Sequence, residues 1–88
     1  MVTRATLGDV LLARGQAEPA CSSYARALAV EPGDVDAHNN RGVALDRLGR
    51  HADALASFDC ALALSPGHAE ALNNRGNAHR ALGRLEEA

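Results

Sequence analysis

The chain has no Trp, no Ile and no Lys, and only one Phe, one Tyr and two Cys among 88 residues. A sequence so poor in β-branched and aromatic side chains lacks the material from which sheets are packed. No apolar run approaches the roughly 20 residues a membrane-spanning helix needs. No charged, apolar and small-residue series of a signal peptide opens the chain. Nine basic residues against eleven acidic ones give a net charge of -2. That balance denies a nucleic-acid backbone the cationic surface it requires. Cys21 and Cys60 are too few and too far apart for a disulfide framework or a short-spaced zinc site. A cytoplasmic location is therefore expected. What is abundant is Ala, with 19 residues, and Leu, with 12. Both favour helices, and Ala lets helices pack closely. Together with basic residues that are all Arg, this is read as the composition of a GC-rich, bacterial-type genome. At 9.2 kDa the chain is one small domain at most.

The sequence matches itself at an offset of 34 residues. Gly8, Gly42 and Gly76 keep this step, as do Gly15, Gly49 and Gly83. Tyr24 and Phe58, Ala27 and Ala61, Leu28 and Leu62, and Pro32 and Pro66 follow it too. Asn39-Asn40-Arg41-Gly42 recurs as Asn73-Asn74-Arg75-Gly76. A fixed period of this length marks a stacked array, in which each unit buries its apolar stripe only against its neighbours.

Each period reads as two helices. Ala37, Arg41, Ala44 and Leu48 recur at helical spacing, with His38, Gly42 and Leu45 beside them. Gly49 ends that helix, and Ala54, Leu55, Phe58, Ala61 and Leu62 form one side of the next. Pro32-Gly33 and Pro66-Gly67 separate repeats, whereas Gly15, Gly49 and Gly83 separate the helices within them. Helices are expected near 3–14, 18–31, 35–48, 52–64 and 69–82, with a sixth begun at 85–88. The fold expected is all-α, a solenoid of antiparallel helix pairs with repeats at 1–34, 35–68 and 69–88, the third cut after its first helix.

These residues resemble the tetratricopeptide repeat family. The match runs over the whole chain, through Leu7-Gly8, Ala20, Tyr24, Ala27 and Pro32, then Gly42, Leu45, Ala54, Phe58, Ala61 and Pro66. The sequence departs from the family where an early aromatic is replaced by Arg4, His38 and Leu72, and where the leucine before the glycine becomes Arg41 and Arg75. The resemblance implies about two and a half repeats, a right-handed superhelix, and a concave groove that binds peptides.

Catalytic chemistry finds no footing, since no phosphate loop, nucleophile elbow or His-Glu-x-x-His is present. No cofactor and no metal are expected. The polar face of the first helices is the candidate site. In the second copy it carries Asp36, Asn39, Asn40, Val43, Asp46 and Arg47, and in the third Glu70, Asn73, Asn74, Asn77 and Arg80. An Asn amide both donates and accepts, which suits a peptide backbone of any sequence. Bonding between neighbouring repeats is the structural alternative for the same Asn residues. Chaperone-binding members of the family grip a terminal carboxylate with Lys, Asn and Arg. Here the matching positions are Ala5, Asp9, Asn40, Glu70 and Asn74, so only Asn40 fits. Asn40 and Asn74 also resemble two rungs of the asparagine ladder of O-linked N-acetylglucosamine transferase.

The function expected is a protein-interaction scaffold whose Asn-lined groove binds extended segments of a partner protein. The alternatives are a substrate-binding arm of a larger enzyme, such as a glycosyltransferase, and a structural spacer. Neither a nucleic-acid nor a membrane partner is expected. A homodimer through the C-terminal end is expected, because a fifth helix without its partner would expose Ala71, Ala78 and Leu82. Cys21 should be buried and Cys60 accessible.

Overall fold

The computed structural model describes residues 4–87, and all of its regular structure is helical. The helices are α1 (Arg4–Ala13), α2 (Ala17–Val30), α3 (Val35–Arg47), α4 (His51–Leu64) and α5 (Ala69–Glu87). Residue 3, where the first helix is expected to begin, and Ala88 lie outside the described residues.

Local chemistry sets the boundaries. Gly15 and Gly49 take the left-handed conformation at φ 77° and 79°, where a side chain would be strained. Beyond them, the Gln16 and Arg50 N–H groups reach back to the Leu11 and Leu45 carbonyls, both at 2.9 Å. This pattern satisfies carbonyls that the helix ends leave open. At the start of α3, Asp34 Oδ1 accepts from the Ala37 N–H at 3.1 Å. One repeat later His68 does the same work, its Nδ1 accepting from the Ala71 N–H at 3.0 Å.

Each helix packs on its neighbours in sequence, and α3 also touches both α1 and α5. No such contact joins α2 to α4. The first helices of the repeats therefore lie on the inside of the bend and the second helices on the outside. The molecule is elongated, 45 × 27 × 18 Å.

Two buried clusters run along its axis. One gathers Ala20, Tyr24, Leu28, Ala37 and Ala44, and the other Leu45, Ala54, Phe58 and Ala78. Val43 and Cys21 pack against both clusters and join them. Glycines make room for the two aromatics: a Cβ on Gly8 would lie 2.7 Å from Tyr24 Cε1, and one on Gly42 would clash with Phe58.

The C-terminal end differs from expectation. Gly83 has no positive φ, and α5 continues through it to Glu87 rather than turning into a sixth helix. Continuing the helix adds a backbone hydrogen bond for each residue. Ala71 and Ala78, expected to be exposed, are both 0% exposed. They point inward, Ala78 against the Phe58 cluster, and of the expected open face only Leu82 remains half-buried.

Candidate functional site

Asp9 and Leu12 of α1 face Asn40 and Arg47 of α3 across the inner side of the bend. With Ala13 they line a cavity of about 220 Å³. The contacts are specific. Tyr24, wholly buried, donates its hydroxyl to Asp9 Oδ1 at 2.5 Å. Asn40 Nδ2 donates to the same oxygen at 3.1 Å. Arg47 Nη1 donates to the Leu12 carbonyl at 3.0 Å, at the C-terminal end of α1, where a cation is favoured.

Burial pushes the Tyr24 phenol well above its ordinary range. The hydrogen bond to Asp9 and the charge of its carboxylate push the same way, while the Arg47 charge opposes. The buried hydroxyl thus stays protonated and holds Asp9 in place. Asp9 in turn orients the Asn40 amide, whose nitrogen must face the carboxylate. The Asn40 oxygen and the second nitrogen-bound hydrogen have no partner among the described residues. They can accept from one backbone N–H and donate to one C=O.

The other members of the expected face are held in different ways. Asn39 is 1% exposed, and its Oδ1 accepts from Asn74 Nδ2 at 3.1 Å. This pair is an internal bond between α3 and α5. Asp46 is bonded to His51 Nδ1 at the α3–α4 turn. Asp36 is exposed and lies 3.4 Å from His68 Nε2. Val43 is half-buried between the two clusters. Glu70, Asn73, Asn77 and Arg80 are exposed on α5, with Arg80 donating to Asn77 Oδ1.

Tyr24, with the hydrogen bond it makes to Asp9, is what a reading of the groove residues misses. The signal lies in the repeats, where Tyr24 with Asp9 becomes Phe58 with Val43 one period later. A hydroxyl and its acceptor come and go together. Among the described residues, no three His, Cys, Asp or Glu side chains gather as a metal ion would require. No described helix is long and apolar enough to cross a membrane. Cys60 is exposed, and Cys21 is half-buried rather than fully enclosed.

Antiparallel helix pairs repeating every 34 residues, their first helices lining one face, define a helical-repeat solenoid. The model of the tetratricopeptide repeat matches residues 6–68 and again 51–88, and the chain belongs to that family. Among curated proteins none matches in sequence. Two solved structures are similar. One is the first tetratricopeptide repeat domain of Spaghetti (RPAP3) bound to the HSP90 peptide SRMEEVD, with TM-score 0.87 and 28% identity over 96% of this chain and 68% of that one. The other is the Sgt2 tetratricopeptide repeat domain from Aspergillus fumigatus, with TM-score 0.87 and 23% identity over 94% of this chain. This chain spans only 55% of the Sgt2 domain's length, and that likeness concerns the fold alone.

Proposed function

We propose that the chain is a protein-interaction scaffold whose concave face, centred on Asp9, Asn40 and Arg47, binds an extended segment of a partner protein. One observation carries this reading. The Asn40 amide is held by Asp9 in an orientation that leaves one acceptor and one donor directed at no group of the described residues. A preoriented amide loses little freedom on binding a peptide bond. The peptide held by the Spaghetti domain supports a peptide as the class of ligand.

The charge of the segment should differ from that peptide, which carries three acidic residues and one Arg. Here Asp9 lines the cavity, and Asp36 and Glu70 are exposed on the neighbouring first helices. Arg47 is already engaged with Leu12. Neutral and basic segments are therefore preferred, through a bias that weakens as salt rises. A peptide array tests both points. Wild-type protein retains neutral and basic peptides over acidic ones, and Asn40→Ala weakens retention about tenfold, the loss of one or two hydrogen bonds. Preference for acidic peptides, or retention unaffected by Asn40→Ala, contradicts the reading.

A homodimer through the C-terminal end now rests on Leu72, 48% exposed, because Ala71 and Ala78 are buried. Sedimentation at about 100 μM, well above the micromolar Kd that about 8 kcal/mol gives, detects it. A monomer at that concentration removes the dimer and leaves the groove untouched.

A further inference from the structure

A second cavity, of about 250 Å³, is bounded by α3, α4 and Cys21 of α2, and the Arg41 guanidinium in its wall has no counter-ion among the described residues. Its walls include Cys21, His38, Arg41, Leu45, Asp53 and Cys60. On α3, Arg41 and Leu45 lie roughly a third of a turn or more from Asn40 and Arg47, so this cavity opens on a different side of the helix from the groove.

The charges in it do not balance. Asp53 is taken by Arg50, whose Nη2 approaches to 2.7 Å. His38 Nε2 donates to the Pro32 carbonyl at 2.8 Å. Arg41 makes no hydrogen bond or ion pair with any described residue, and its Nε is closed off from solvent. A partly buried charge left without a partner is costly.

The next repeat shows what is missing. Arg75 stands one period after Arg41, and its Nε lies 3.1 Å from Asp59 Oδ1, close enough for an ion pair though not aligned as a hydrogen bond. The residue one period before Asp59 is Ala25. The first seam therefore keeps the arginine and lacks the acid.

We infer that this cavity is a carboxylate socket: Arg41 receives a carboxylate carried on a short aliphatic stem, as in an Asp or Glu side chain or a free short-chain acid. A carboxylate fits because Asp59 stands beside the equivalent arginine, Arg75, in the second seam, where the first seam has Ala25. A phosphate dianion would need a second free cation, and Arg50 is engaged by Asp53. Leu45, Cys21 and Ala56 provide the less polar wall for the stem.

The test follows the Arg41 Nε–H resonance of the whole chain while propionate, N-acetyl-glutamate N-methylamide and their neutral amide counterparts are added at constant ionic strength. Both carboxylates should give a saturable shift, and the amides should bind about tenfold more weakly, as expected when a charge-assisted hydrogen bond is lost. Tighter binding of the blocked glutamate assigns the socket to a protein partner, and tighter binding of propionate assigns it to a free acid. Ala25→Asp supplies the absent carboxylate at an exposed position of α2. This variant should raise the thermal midpoint and abolish the carboxylate response. Arg41→Leu should abolish the response as well, and the Ala25→Asp result stands even where Arg41→Leu fails to fold. Equal shifts for carboxylates and amides, or an unchanged response in Ala25→Asp, would overturn the socket.

Discussion

Tyr24 places a hydroxyl inside the first repeat, whereas Phe58 places none at the same point of the second. The difference has a cost that Asp9 offsets, because a buried hydroxyl without an acceptor is unfavourable by about 1–3 kcal/mol. Protonated Tyr24 is the form the fold requires, and its titration is moved upward from the ordinary 10.0 by burial first and by Asp9 second. Its contribution is therefore complete below pH 10 and is lost as pH rises, since the unfolded chain releases the proton first. Stability should fall by up to about 1.4 kcal/mol for each pH unit above the ordinary tyrosine value. Urea unfolding of wild type and Tyr24→Phe at pH 8 and pH 11 measures this. The variant should lose the part of the alkaline decline due to Tyr24, and equal slopes for the two proteins would contradict the account. At this scale the repeat register makes the Tyr24–Asp9 and Arg75–Asp59 relations legible, because each pair changes when the period advances. The Asn39–Asn74 bond is legible only as the general alternative of bonding between neighbouring repeats, and not as this pair. Asn39 and Asn40 are adjacent, and only the packing of α3 on α5 buries one and leaves the other at the groove.

Glycine separates the roles of the helices. Gly42 is where α3 meets Phe58, so Gly42→Ala should destabilise by about 1–3 kcal/mol through overpacking. Gly83 lies in the interior of α5, and a methyl group placed on it would meet nothing within 4 Å. There Ala removes backbone freedom from the unfolded chain, and Gly83→Ala should stabilise by about 0.5–1 kcal/mol. Thermal unfolding of the two variants checks both signs, and a loss of stability in Gly83→Ala would mean that the chain turns at that glycine. The sequence register treats Gly15, Gly49 and Gly83 alike, yet only the first two adopt positive φ. A glycine permits a turn, and the helix packed beyond it makes the turn favourable. Gly15 and Gly49 are followed by α2 and α4, which bury Tyr24 and Phe58 against the chain. Because a turn depends on the helix packed after it, the boundaries of α1 to α4 are readable from spacing and the end of α5 is not.

Across the whole molecule, the two sides of the solenoid carry opposite chemistry. The inner face gathers Asp9 and Asn40 at the α1–α3 cavity, with the Asn40 amide held by the Asp9 carboxylate. The outer seam presents Arg41 without its acid. The period and the helix pairs follow from residue spacing alone, and the inner position of the first helices follows from the family resemblance. The exact centre of the groove does not, because it depends on which polar side chains the stack turns toward one another. Mapping a neutral or basic peptide onto the protein by amide chemical shifts, side-chain amides included, tests the central claim most directly. Shifts should concentrate on Asp9, Leu12, Asn40 and Arg47, with the Asn40 side-chain amide among the largest. Shifts confined to the outer helices α2 and α4, with the Asn40 amide unmoved, would contradict it.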